Sequence, residues 1–446
     1  MNDWTKAERR VQKAQRLYEE GRWVEAAAEL RAALGVNPYN AAWHFNLGVT
    51  LEAMEDYPRA SEAYSEAVRL NPRDVEGLNC LGVNLTRLSR FAEALEAFAR
   101  AQKIDPMHEA AYCNRIATYS EMGEHDSAEV MFYLARQITD ECPLCSYNLG
   151  WSLYARGLYA RAIGCWEQTR RIDPKHPDAN VHIAEAFWAM GELRHARRRY
   201  EEEVRRFPDD VALLLDYGDL LVEMDLCKEG RAIFRRALAA APDHAGAHCC
   251  LGELALKQGR LAEAEEMFRT VLQLDEKYPA AGMRLGQVLL RTGRGAEAVK
   301  YLLKEVPRAG DDSESLRELG GLLLEAGQAG HAKGVLDRLV MMRPDDATAR
   351  HDLAVSCFMM RRFDEGVRHC RKALKLQPGY ASALYNLALA HLQTGRTDRA
   401  RRYASRALLA DPASAPIRKL AKHLGAAGLW ARLRTRLARF APGRRT

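Results

Sequence analysis

Cys142 and Cys145 have two residues between them, the CxxC spacing at which two thiolates share a soft metal ion or take part in disulfide exchange. A tetrahedral metal site needs four donors, and no second CxxC and no HxxxH nearby completes the set. Cys80 and Cys113 belong to neighbouring stretches of the repeating pattern described below and can in principle approach, although nothing in their spacing requires it. Cys249 and Cys250 are adjacent on one helix and point apart. The plainer reading of all these residues is buried or half-buried thiols, so no cofactor is expected and Cys142/Cys145 are only a weak metal candidate.

Other chemistries are missing from the chain. There is no Gly-rich phosphate loop, HExxH helix, nucleophile elbow or pair of catalytic carboxylates, so no catalytic residue is assigned and the chain reads as a non-enzyme. The segment HARRRYEEEVRR, 195–206, has the charge of a nucleic-acid patch. Arg197, Arg198 and Arg199 each precede one of Glu201, Glu202 and Glu203 by four residues, which reads as a self-paired solvated face and not as a nucleic-acid site.

The elements that carry these residues are helical. Of 446 residues, 48% are hydrophobic and 28% charged, and alanine and leucine abound while β-branched residues are sparse. The first thirteen residues, MNDWTKAERRVQK, hold no apolar run of a signal peptide, and no segment is apolar for long enough to span a bilayer. A cytoplasmic protein with reduced thiols is expected.

A 34-residue pattern begins at Ala7 and recurs without insertion: 7–40, 41–74, 75–108, 109–142, 143–176, 177–210, 211–244, 245–278, 279–312, 313–346, 347–380 and 381–414. Residues 1–6 precede it and 415–446 follow. Each unit is two short amphipathic segments, as in 143–176, where Gly157 breaks the helix and Pro174 stops it. A hairpin of that size cannot bury its own apolar face and must stack on its copies. The twentieth position is Ala or Gly in every unit, and the eighth is Gly or Ala in all but one, Ile116. Glycine inside a helix costs about 1 kcal/mol against alanine, so its recurrence points to close helix approach. The twenty-fourth position supplies a large residue, such as Tyr64, Phe98, Trp166 and Phe268, to fill the next hole. Unit 313–346 is glycine-rich and follows Pro307, and the weakest joint of the array is expected between about residues 306 and 334.

This spacing, with its small residues and terminal prolines, resembles the tetratricopeptide repeat over residues 7–414. The resemblance implies an all-α, right-handed α-solenoid superhelix of about twelve helix–turn–helix repeats whose first helices line a concave groove. It is similar to the superhelical arm of the O-linked N-acetylglucosamine transferases, without a catalytic domain in this chain. Groove-facing positions are then roughly the second, fifth, sixth, ninth, twelfth and thirteenth of each unit, which place Tyr147, Asn148, Trp151, Tyr154, His182, Glu185 and Trp188 on the inner face. Four aromatics with an acid, an imidazole and an amide suit an anchor for a peptide or partner protein, although one or two of them can equally fill the core between units. Asparagine at the sixth position holds an extended peptide backbone in some family members; Asn46, Asn114, Asn148 and Asn386 match, while Cys80, His182 and Asp216 among others break the ladder. The clamp for a C-terminal carboxylate is not formed by any three adjacent units. Further along, Asp216, Asp219, Glu223, Glu253, Glu314, Glu318 and Glu325 face inward with Arg284, Arg291 and Arg317 among them, a surface that suits a basic segment or is simply solvated.

The net charge of +6 is unevenly held. Residues 415–446 contain nine Arg or Lys and no acid, leaving 57 basic against 60 acidic side chains in residues 1–414. The segment PIRKLAKHL reads as a helix capping the last repeat. Beyond Gly425 and Gly428, LWARLRTRLARF sets Trp430 and Phe440 among Arg432, Arg434, Arg436 and Arg439. Such a helix can cap the array further, bind an acidic partner, or lie on an anionic membrane surface. The expected function is thus a protein-interaction scaffold. The alternatives are a membrane-peripheral adaptor at the inner face of a membrane and a substrate-recruiting arm for a separate transferase.

Overall fold

The computed structural model describes residues 3–139, 141–310 and 312–425. Among these, every regular element is an α-helix. The first compact unit, residues 1–224, holds α1 (Asp3–Glu19), α2 (Trp23–Leu34), α3 (Ala41–Ala53), α4 (Tyr57–Leu70), α5 (Val75–Arg87) and α6 (Phe91–Ile104). It continues with α7 (Glu109–Glu121), α8 (His125–Ala135), α9 (Pro143–Ala155), α10 (Tyr159–Ile172), α11 (Ala179–Ala189), α12 (Leu193–Arg206) and α13 (Val211–Glu223). The second, residues 225–446, holds α14 (Cys227–Ala240), α15 (Ala245–Lys257), α16 (Leu261–Leu274), α17 (Ala281–Arg291), α18 (Gly295–Glu305) and α19 (Ser313–Glu325). It ends with α20 (Ala329–Met342), α21 (Ala347–Met359), α22 (Phe363–Leu376), α23 (Ala381–Gln393), α24 (Thr397–Ala410) and α25 (Ala415–His423).

Within each unit a helix packs on its hairpin partner and then on the first helix of the following hairpin, which is α-solenoid stacking. First helices of successive hairpins also touch, as α7 does α9. Several first helices start at a side-chain cap: Asn40, Asp74, Asp210 and Asp346 each accept a hydrogen bond from the backbone N–H three residues on. The turn inside each hairpin needs a left-handed residue. Gly157 supplies it at φ +73°, while Glu55, Ser89 and Arg361 adopt it without that freedom.

The small residues sit where two helices meet. Ala26, Ala60, Ala94, Ala162, Ala264 and Ala332 are all fully buried. The hole above an eighth-position glycine is filled from within its own hairpin, sixteen residues later, and not by a neighbour. A Cβ on Gly48 would lie 2.7 Å from the Tyr64 ring, on Gly150 2.7 Å from Trp166 Cε2, and on Gly320 2.7 Å from Leu336 Cδ2. At the end of the described chain α25 lays Ile417, Leu420 and Ala421 on the core of α23 and α24.

Candidate functional site

The aromatic residues of α9 converge on one buried ring. Gly150 opens the space for Trp166 of α10, which is fully buried and donates its Nε1–H to the Tyr147 carbonyl at 3.1 Å. Above it lie Trp151, edge-on at 5.8 Å between ring centroids, Tyr154 at 5.9 Å and His182 at 5.4 Å. His182 of α11 is the hub. Its Nδ1 meets a Glu185 carboxylate oxygen at 2.8 Å, its Nε2 meets the Tyr147 hydroxyl at 2.9 Å, and its ring lies 4.4 Å from Trp151. A carboxylate only accepts, so Nδ1 donates to Glu185, while the tyrosine hydroxyl is able to donate to or accept from Nε2. Trp151 keeps 37% of its surface exposed, and Tyr154 is half-buried.

Trp188 stands apart from this nest. It is half-buried, makes no ring contact with the group among the described residues, and donates Nε1–H to Glu223 of α13 at 2.7 Å. The asparagines spend their amides inside the fold. Asn148 donates to the Cys113 carbonyl at 3.0 Å and Asn114 to Asn79 Oδ1 at 2.9 Å, while Asn386 meets His351 Nε2 at 2.9 Å. Asn46 lines a small cleft with Gln15, Tyr18 and Thr50.

The acids expected on the inner face divide into two kinds. Asp216 of α13 is half-buried, and burial first, then the charges of Glu185 and Asp210, push its carboxyl up to about 6. In the second unit Arg284 of α17 sits between Glu253, at 3.2 Å, and Glu318, and Arg317 pairs with Asp346. Arg284 thus offsets part of the negative charge of that stretch. On α12, Arg197 pairs with Glu201 at 2.7 Å, but Glu203 turns inward, almost wholly buried, and accepts from Asn180 at 2.7 Å and Arg206 at 3.1 Å. Its distance in sequence from Arg199 hid that role, because a helix position four residues on does not reveal which face is buried.

The CxxC pair has a third sulfur. Cys113 of α7 brings its Sγ to 3.2 Å from Cys142 Sγ and 2.7 Å from Cys145 Sγ, and all three residues are buried. The contact of α7 with α9 makes this meeting, across 29 and 32 residues. Trp430, Arg432, Arg434, Arg436 and Arg439 lie outside the described residues. No helix among those described is long and apolar enough to cross a membrane.

Stacked helical hairpins with a small-against-large seam define a helical-repeat protein, and comparison with known proteins specifies which kind. One tetratricopeptide repeat model matches residues 50–108, 147–189, 182–245, 221–279 and 317–381, and a second matches 17–78, 255–319 and 358–424. The chain belongs to the tetratricopeptide repeat family. It is 30% identical over 112 residues to the TPR repeat-containing protein YpiA of Bacillus subtilis, a match covering 25% of this chain and 26% of that one. The chain thus spans about a quarter of the length of this curated relative. Among solved structures, it is similar to the APC/C hetero-tetramer Cut9-Hcn1, at 15% identity and TM-score 0.42 over 92% of this chain and 95% of that one. It is also similar to YrrB, described as a TPR protein with an unusual peptide-binding site, at 20% identity and TM-score 0.37 over 42% and 96%.

Proposed function

We propose that this chain is a non-enzymatic interaction scaffold that holds a segment of a partner protein against the inner face of α9, α11 and α13. Tyr147, Trp151, Tyr154 and Trp188 supply the anchor surface, and Glu185, Asp216 and Glu223 select a basic side chain beside an apolar one. The observation that carries this reading is Trp151, a large ring left 37% exposed while its inner edge is fixed against Trp166 and His182. An aromatic already immobilised in the free protein loses little further freedom on binding, which favours it as an anchor. The half-buried Asp216, with no cation facing it among the described residues, supplies the charge that a lysine or arginine would neutralise, and the ring faces add cation–π attraction.

A peptide array probed with the purified chain tests this. The wild-type protein is expected to retain peptides with an aromatic or aliphatic residue next to Lys or Arg. The variant Trp151→Ala/Tyr154→Ala/Trp188→Ala should bind them at least about tenfold more weakly, with unchanged helical circular dichroism. Equal binding by the triple variant, or a preference of the wild type for acidic peptides, refutes the reading.

A further inference from the structure

We propose that Cys113, Cys142 and Cys145 are a thiolate site for zinc that clamps α7 to the first turn of α9. Their three sulfurs lie within 4.8 Å of one another. Zinc–sulfur bonds of about 2.3 Å around a tetrahedral ion place sulfurs roughly 3.8 Å apart, so one ion fits among them with small side-chain adjustments. The donors come from two helices of successive hairpins, and the residues are only 3%, 6% and 1% exposed. Three thiols are therefore gathered in one enclosed place by the packing of the array.

Equivalent positions elsewhere in the chain show what packing alone asks for. Where Cys142 caps α9, the equivalent position carries Asn40, Asp74, Asp210, Asp312 and Asp346, whose oxygens cap their helices, and a histidine, tyrosine or serine in the remaining units, never another cysteine. The Cys142 sulfur does take the Cys145 N–H at 3.1 Å, but sulfur is a weak acceptor and a poor replacement for Asp in that task. The position of Cys145 is a fully buried alanine at Ala111, Ala179, Ala247 and Ala349. Neither cap nor core calls for cysteine, and both cysteines direct their sulfur to the same point as Cys113. The Cys145 N–H and the N-terminal dipole of α9 act on the Cys142 sulfur and favour its thiolate over the thiol.

Glu109, exposed and one helical turn before Cys113 on the same face of α7, lies outside the three-sulfur cluster but is placed to reach its rim by side-chain rotation. Binding exchanges three thiol protons, released to solvent, for three zinc–sulfur bonds, with Glu109 or a water in the remaining position and no electron transferred. The site lies beside the aromatic nest, because Asn148 of α9 hydrogen-bonds the carbonyl of Cys113 itself. It does not depend on the partner-binding reading.

The test uses the full chain, reduced and metal-free, titrated with zinc chloride and, separately, with cobalt(II). One zinc per chain is expected by native mass spectrometry, with thiolate-to-cobalt charge-transfer absorption. Zinc should protect Cys113, Cys142 and Cys145 from alkylation while leaving the half-buried Cys80 and Cys165 as reactive as before. Cys145→Ala, which installs the residue found at equivalent positions and is expected to fold, should lower zinc affinity at least about 100-fold. The assignment is overturned if the reduced wild-type chain takes up no zinc, if Cys145→Ala binds it equally, or if protection maps to Cys357 and Cys370. A Cys113–Cys145 disulfide that forms in preference to metal binding, or copper(I) held where zinc is not, overturns it as well.

Discussion

The hairpin α9–α10 and the hairpin α19–α20 solve the same packing problem with different residues. Each has an eighth-position glycine and, sixteen residues later, the side chain that fills the hole above it: Trp166 over Gly150, Leu336 over Gly320. In the first, the filler is an indole whose N–H is hydrogen-bonded and whose faces meet Trp151, Tyr154 and His182. In the second it is a buried branched aliphatic with no polar atom to satisfy, and on the face nearby Arg284 lies between two glutamates. The seam between helices needs only a small residue opposite a large one. What is built on the outer side of that seam is free to differ, and there the two regions diverge.

The largest test of this difference is a single methyl group at each glycine. In Gly150→Ala the new Cβ meets three atoms of the Trp166 ring within 2.8 Å, and neighbours on several sides hold that ring in place. Overpacking at the upper end of its usual range, offset by the roughly 1 kcal/mol that alanine gains over glycine in a helix, leaves a net loss of about 2 kcal/mol. In Gly320→Ala the new Cβ meets Leu336 Cδ2 at 2.7 Å and Cγ at 2.9 Å; this buried aliphatic side chain has only staggered shifts to give, so overpacking in the middle of its usual range, less the helix gain, leaves a smaller loss of about 1 kcal/mol. Urea denaturation of both variants measures this, and equal losses would show that the two seams are equally rigid.

Most of this seam was legible in the residues alone, since twelve copies of a pattern align themselves and a small residue at a fixed phase can mean only close approach. The sequence did not reveal that the large residue fills a hole in its own hairpin, because periodicity gives a phase along the helix and not a direction across it. The aromatic residues were legible as members of one face, but the hub role of His182 was not. It depends on Nδ1 and Nε2 meeting partners on two helices. Cys113 is the clearest case: 29 residues from Cys142, it joins the pair only through the contact of α7 with α9. Nothing in CxxC spacing encodes a third sulfur from another hairpin.

The glycines of α19–α20 sharpen the comparison from the other side. Gly320 is buried and has a packing reason, but Gly321, Gly330 and Gly334 are exposed and a Cβ on any of them would meet nothing within 4 Å. They weaken their helices without improving any contact. The triple change Gly321→Ala/Gly330→Ala/Gly334→Ala should therefore stabilise the chain by about 1.5 kcal/mol, at roughly 0.5 kcal/mol each. Amide exchange across residues 313–342 should slow in the variant. The proposal that the weakest joint lies near 306–334 requires the wild-type protein to exchange faster there than in α9–α12. Uniform protection would remove that proposal and leave these glycines unexplained.

The smallest expected effect concerns charge on the two faces. Glu253 and Glu318 have Arg284 between them, whereas Asp216 near the aromatic nest has burial and two other acids raising its carboxyl to about 6 from an ordinary 3.8. A raised folded-state value means that the folded chain holds the proton more tightly than the unfolded one. The associated stability is complete below about pH 3.8 and is lost as pH rises through about 6. Asparagine cannot ionise, so Asp216→Asn should match the wild type near pH 4 and exceed it at pH 7.5. A two-unit shift corresponds to at most about 3 kcal/mol, and solvent access to this half-buried carboxyl reduces the expected gain to about 1 kcal/mol. Thermal melts at the two pH values measure it. If Asp216 awaits a basic side chain from a partner, as Arg284 already serves its glutamates, the same variant should bind basic peptides more weakly while melting higher. A variant that gains stability at pH 7.5 and keeps its peptide affinity would separate the electrostatic cost of Asp216 from any role in recognition.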